Sequence, residues 1–291
     1  MAAMFKVMSG IALTGFMGAA AVGSLASHNA TSRKPVSLKF SIDSPFRANY
    51  KIHREWRAYP KGTANGNQNH DIEVSVVGKP SGWDHPPGSD VELSFTAFTG
   101  VDLDGQETRH LREIAQTIVT ERLDRRLSEL GSAQPWKMKN FNPAGWAGMM
   151  AMKAAGLYEI GFLNLWFPSH PVKVGDRWTS PELVGDEGTY GNQVKNLKGN
   201  VATCTYRLRA VDARRNTAVV SFDARAEMTY DIVDHVLKWN FKGTRRETQS
   251  GVWVIDIKTG LPISFRADRT MVESDGRSPE KEVTRTVVTR I

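Results

Sequence analysis

Residues 218–230 read AVVSFDARAEMTY, and their alternation decides the fold. Ala218, Val220, Phe222, Ala224, Ala226, Met228 and Tyr230 fall on one side of an extended chain, while Ser221, Asp223, Arg225 and Glu227 fall on the other. A period of two with one apolar and one wet face is the pattern of an antiparallel sheet. Asp212 to Thr217 (DARRNT) reads as a hairpin loop, and before it Cys204, Tyr206 and Leu208 alternate with Thr203, Thr205, Arg207 and Arg209. Downstream, Leu237, Trp239 and Phe241 begin another strand and Val252 to Ile257 a further one. Ile263 to Val272 and Val283 to Ile291 complete a meander expected to curl around one core.

The first half repeats the pattern. Val36, Leu38, Phe40 and Ile42 alternate with polar partners, and Tyr50, Ile52, Arg54 and Trp56 continue with the same period. Ile72 to Val77 and Val91 to Phe98 read as strands, with loops at Lys61 to Asn69 and Gly78 to Gly88. Leu111, Ile114, Ala115, Ile118, Leu123, Leu127 and Leu130 recur at three- and four-residue spacing, which predicts one long amphipathic helix. Asp104 is its expected N-cap, and Gly131 the expected left-handed residue at its end. The fold class is therefore mainly β (α+β): a curved antiparallel sheet or half-barrel, one long amphipathic helix and a second apolar helical segment. Residues 36–291 form the β-rich part, either as one continuous sheet or as two halves split near residue 170.

That second segment is Pro143 to Phe167, PAGWAGMMAMKAAGLYEIGFLNLWF, in which Lys153, Glu159 and Asn164 are the strongly polar residues. It must be buried in a core, in a membrane, or against a ligand or partner. As core, Trp146, Leu157, Phe162, Leu165 and Trp166 would each contribute roughly 1.5–3 kcal/mol on full burial. As a pocket or interface, the flexible, polarisable Met149, Met150 and Met152 suit varied apolar partners. Trp146, Met149, Met150, Met152, Leu157, Phe162 and Trp166 are the candidate ligand-binding residues. A membrane span fits poorly with Lys153, Glu159 and the glycines at 145, 148, 156 and 161.

The 291 residues are 40 % hydrophobic and 24 % charged, a globular balance, and carry a net charge of +7. Such a surface favours acidic surroundings, although most of its basic residues are dispersed among acids. Residues 1–26 resemble a secretory signal peptide, with Lys6 before an apolar segment and Ser24-Leu25-Ala26 at the expected cleavage point. An uncleaved N-terminal membrane helix is the other reading of that segment. Residues 27–35 read as a polar linker. One cysteine, Cys204, excludes an intramolecular disulfide. The expected location is exported, periplasmic or extracellular.

Two motifs carry a resemblance. Pro171-Val172-Lys173-Val174-Gly175-Asp176-Arg177-Trp178 resembles the P-V-x-V-G-D-x-W segment of uncharacterised secreted bacterial β-rich proteins. Asp256-Ile257-Lys258-Thr259-Gly260-Leu261-Pro262 resembles the D-x-x-T-G-L-P turn of envelope proteins, the periplasmic lipoprotein carriers and their half-barrel relatives among them. The resemblance implies a curved sheet wrapped around an apolar cavity, and it assigns no binding residue. Physically, each motif is a turn: Gly175-Asp176 delivers Trp178 into the sheet, and Pro262 begins a strand where its missing donor does no harm.

No nucleophile elbow, phosphate loop, zinc spacing or dinucleotide motif is present in the sequence, so no cofactor and no metal is expected. Asp102-Leu103-Asp104-Gly105 lacks the later ligands of a calcium loop. Arg207, Arg209, Arg214 and Arg215 lie close together, with Trp239 and Trp253 as stacking candidates, but strand parity puts arginines and tryptophans on opposite faces, which argues against nucleic acid. The expected function is non-enzymatic: an exported envelope protein binding an apolar, lipid-like ligand or an envelope protein, with peripheral membrane contact as a further partner. The alternatives are an exported hydrolase using carboxylates such as Glu55, Asp71 and Asp84 brought together by the fold, and a structural or assembly component.

Overall fold

The computed structural model describes residues 34–41, 43–59, 67–81, 88–102, 105–106, 109–118, 122–131, 137–138, 163, 165–180, 183–184, 194–234, 239–274 and 280–291. The predicted signal peptide, the predicted apolar helix, and six of the seven candidate residues (Trp146, Met149, Met150, Met152, Leu157 and Phe162) lie outside them. Among the described residues the chain is mainly β, forming one antiparallel sheet of 12 strands. These are β1 (Phe46–Tyr59), β2 (Gln68–Pro80), β3 (Ser89–Asp102), β4 (Arg122–Leu127), β5 (Lys137–Met138), β6 (Arg177–Thr179), β7 (Leu183–Val184), β8 (Val194–Asp212), β9 (Thr217–Asp234), β10 (Trp239–Asp256), β11 (Pro262–Ser274) and β12 (Glu280–Arg290), with one helix, α1 (Arg109–Ile118). Their order is β5-β4-β3-β2-β1-β12-β11-β10-β9-β8-β6, with β7 also on β8. Two meanders are thus joined through the β1–β12 pair, from Tyr50 opposite Arg290 to Tyr59 opposite Lys281.

The turns follow from their side chains. At the β8–β9 hairpin the Asp212 carboxylate accepts the backbone N–H groups of Arg214 and Arg215 at 3.0 and 3.1 Å, and Asn216 takes a positive φ of 58°. At the β10–β11 turn the Asp256 carboxylate accepts from Lys258 N–H at 2.9 Å and its carbonyl from Gly260 N–H at 2.7 Å. Gly260 has φ +73°, and a Cβ there would stand 2.3 Å from the Lys39 carbonyl oxygen. Gly260→Ala is therefore expected to cost ~1–3 kcal/mol, read as a lowered urea midpoint with unchanged far-UV circular dichroism.

Three predicted elements differ. The long helix is not seen: α1 ends at Ile118, and Arg122–Leu127 is strand β4, paired with β3 from Ser89↔Leu127 to Ser94↔Arg122. Residues four apart share a face in a helix and in a strand alike, so Leu123 and Leu127 suited both. Gly131 does take φ +87°, but after a turn that follows a strand. Residues 36–41 carry the alternating burial of a strand, with Leu38 and Phe40 buried, yet only Val36 makes a bridge, to Val172. The two strands expected on either side of residues 242–251 are a single strand, β10, of 18 residues.

The sheet curls. Laid flat, β4 and β6 would stand nine strand spacings apart, ~43 Å. Instead one short segment joins both margins: Phe167 N–H donates to the Leu130 carbonyl just after β4 at 2.9 Å, and the Trp178 indole of β6 donates to the Trp166 carbonyl at 2.7 Å. The enclosed side is the core. Phe40 meets Phe167 at 4.8 Å, Trp178 stacks on Tyr206 at 5.7 Å, and Trp253 packs on Tyr206, Phe222 and Phe265 at 6.0, 4.3 and 5.0 Å.

Candidate functional site

Strand parity defines an inner face that changes character along its length. Near the joined margins it is Tyr50, Phe222, Trp253, Phe265 and Val288, all buried. Farther along the same strands the inward positions are Arg54 and Trp56 on β1, Thr284 on β12, Arg269 and Met271 on β11, Arg245, Glu247 and Gln249 on β10, and Met228 on β9. Register sets them side by side: Trp56 opposite Thr284, Thr284 opposite Arg269, Arg269 opposite Gln249, Met271 opposite Glu247, and Arg245 opposite Met228.

The charges form a cluster. Arg269 grips Glu247 with two hydrogen bonds of 2.7 Å, and Arg245 adds a third at 3.2 Å. The three side chains are 23–24 % exposed. Burial works against the Glu247 charge, but the hydrogen bonds and charge of Arg269, then those of Arg245, outweigh it and hold the carboxyl below its ordinary value of 4.5. Burial likewise opposes the Arg269 charge, and Glu247 outweighs it, so that Arg269 holds its proton more tightly than usual. Glu247 is thus locked as an anion and has no proton to give as a general acid.

Among the described residues, two donors on this face are unspent. The Nε of Arg245 and the indole N–H of Trp56 are buried and have no hydrogen-bond partner. Native interiors satisfy nearly all such groups, because each one left unmade costs ~1–3 kcal/mol. Their strands are three spacings apart, ~14 Å, and Arg245 lies four residues, ~13 Å, farther along β10 than the position in line with Trp56; Met228, Met271 and Thr284 share the face with them.

Of the seven candidate ligand-binding residues, Trp166 is the one among the described residues: it is half-buried against the core, and its carbonyl accepts from the Trp178 indole. Sequence reading missed Trp56, Arg245, Glu247 and Arg269 as a site, although Arg54 and Trp56 shared the parity of the apolar Tyr50 and Ile52. Of the proposed hydrolytic carboxylates, Glu55 and Asp71 both reach His53, at 3.8 and 2.8 Å, on the exposed outer face, and Asp84 lies outside the described residues. Cys204 is half-buried, and burial pushes its thiol up to about 11, so it is no nucleophile at neutral pH. Among the described residues no cluster of metal ligands occurs, and no helix is long and apolar enough to cross a membrane.

No family model matches the chain, and no curated protein resembles it in sequence. In structure the chain is similar to lipovitellin, described for its lipid–protein interactions, at 13 % identity and a TM-score of 0.42, covering 87 % of this chain and 25 % of that one. It is also similar to DynF from the dynemicin biosynthesis pathway of Micromonospora chersina, at 11 % identity and a TM-score of 0.24, covering 90 % of this chain and 87 % of that one. The chain spans about a quarter of the lipovitellin chain and most of DynF.

Proposed function

We propose that the protein holds an amphipathic, lipid-like molecule against the inner face of its curled sheet, and that it does so without transforming it. The observation that carries this is the pair of buried donors without acceptors, Trp56 Nε1 and Arg245 Nε, on a face that also carries Met228, Met271 and the Arg269–Glu247 pair and runs on into the buried aromatics. A ligand with an apolar chain and an acceptor-bearing end matches both parts; a purely apolar filler leaves the donors and the charge cluster unexplained. The curled sheet suits carriage, since its inner face continues beyond the end that the 165–167 segment joins. Glu55 and Asp71, the described carboxylates considered for hydrolysis, lie on the exposed outer face, away from this surface. The leader-like sequence of residues 1–26 supports an envelope location, and the apolar, methionine-rich composition of residues 143–167 supports a role for that segment in lining or gating the ligand site.

Replacing Met149, Met150 and Met152 together with serine tests the lining role. A fluorescent fatty-acyl probe is expected to lose at least tenfold in affinity while the melting temperature moves by only a few degrees. Unfolding of the triple variant would instead assign those residues to the core.

A further inference from the structure

On the outer face, at the margin opposite β5, register brings three arginines onto neighbouring positions. Arg177 on β6 stands directly opposite Arg207 on β8, a like-charge cross-strand pair that destabilises a sheet. Arg209 follows at an irregularity in β8, and its Nε donates to the Ser221 hydroxyl at 2.7 Å. The Nε of Arg207 is buried and has no hydrogen-bond partner. Among the described residues no carboxylate pairs with any of the three. Arg225, exposed on β9, extends the patch; of the acids on the outer face of β9, Asp223 stands opposite Thr205 and Glu227 is taken by Arg246 at 3.0 Å.

Folding alone gives no reason to gather unpaired arginines, because each would be more stable apart from the others or beside an acid. Guanidinium forks match phosphoryl oxygens two at a time. We infer that this face docks on an anionic phospholipid surface through the phosphate groups of its lipids. A plane of headgroups fits the arrangement better than one free anion: the arginines lie spread over neighbouring strands, and Arg214 and Arg215 at the adjoining hairpin tip continue the basic strip. Nucleic acid fits less well, since Trp253 is buried on the opposite face and gives this patch no base-stacking platform. The site goes beyond the inner-face ligand and stands or falls separately from it.

The test is flotation of the full chain with vesicles of phosphatidylcholine alone or with 30 mol % phosphatidylglycerol, at several salt concentrations. Wild type is expected on the anionic vesicles only, less so as salt rises. Arg177→Ser, Arg207→Ser and Arg209→Ser combined should weaken binding by roughly 100-fold, about fivefold per charge, with the melting temperature and fatty-acyl probe binding unchanged. The corresponding triple lysine variant, which keeps the charge but loses the fork, guards against a folding defect: intermediate binding supports the assignment. Equal binding to both vesicle types would overturn it. So would full retention of binding in the serine variant, tighter binding to a single-stranded oligonucleotide than to anionic vesicles, or release of the vesicles by millimolar free phosphate.

Discussion

Trp253→Ala is expected to lower the unfolding free energy by about 3–5 kcal/mol, among the largest losses a single side chain can produce in this fold. Trp253 is 2 % exposed and touches Tyr206, Phe222 and Phe265, so its removal opens a cavity where three strands pack. Gly251 beside it cannot help to fill the gap: a Cβ there would lie 2.2 Å from the Arg266 carbonyl oxygen and 2.5 Å from the Phe222 ring. Urea denaturation followed by far-UV circular dichroism should show the loss as a lower midpoint at unchanged slope, and Trp253→Phe should restore most of it. A change below ~1 kcal/mol would mean that the aromatic cluster does not close this end of the sheet.

The second large effect concerns Glu247. Glu247→Ala leaves Arg269 and Arg245 facing each other without their shared anion, and a loss of about 3 kcal/mol is expected. Replacing the whole cluster with apolar residues of similar size, Arg245→Met, Glu247→Met and Arg269→Met, should by contrast leave stability nearly unchanged or raise it. Acid behaviour gives an independent reading. The folded carboxyl lies below its ordinary 4.5, so its contribution is complete above about pH 4.5 and is lost as pH falls through the lower folded value. Urea midpoints measured from pH 7 to pH 3 should therefore fall over that acid range in wild type, and fall less steeply in Glu247→Gln. An unchanged acid slope in Glu247→Gln would remove the ion pair from the stability of the fold.

The turns were legible because their chemistry is local. Asp212 and Asp256 each stand where a carboxylate can take backbone N–H groups two residues on, with Asn216 and Gly260 supplying the positive φ. The strands of β9 and β11 were legible from alternating burial. The middle of β10 was not. Its inward positions there are Gly243, Arg245, Glu247 and Gln249, so the apolar alternation that marks a strand is missing, and the element read as two. The same substitution of charge for apolar side chain creates the candidate site, so the failure of the pattern and the presence of the site have one cause. Leu123 and Leu127 were misread because four-residue spacing cannot separate a helix from a strand; the free edge of β3 decided it by pairing. The cross-strand neighbours that make Trp56, Thr284, Arg269, Glu247 and Arg245 one surface are separated by up to 228 residues along the chain, between Trp56 and Thr284 at the β1–β12 pair, and no local pattern encodes that register.

The curled sheet joins a core closed by aromatics at one end to an inner face that keeps charges and unspent donors farther along. The central claim is that an amphipathic molecule occupies that face. Native mass spectrometry of the chain, isolated from cells without detergent and followed by organic extraction of the bound material, tests it most directly. The account predicts a stoichiometric adduct bearing an apolar chain and a hydrogen-bond-accepting head, retained by wild type and lost from the equally stable triple methionine variant at positions 245, 247 and 269. A clean ligand-free mass for wild type, with nothing in the organic extract, would contradict it.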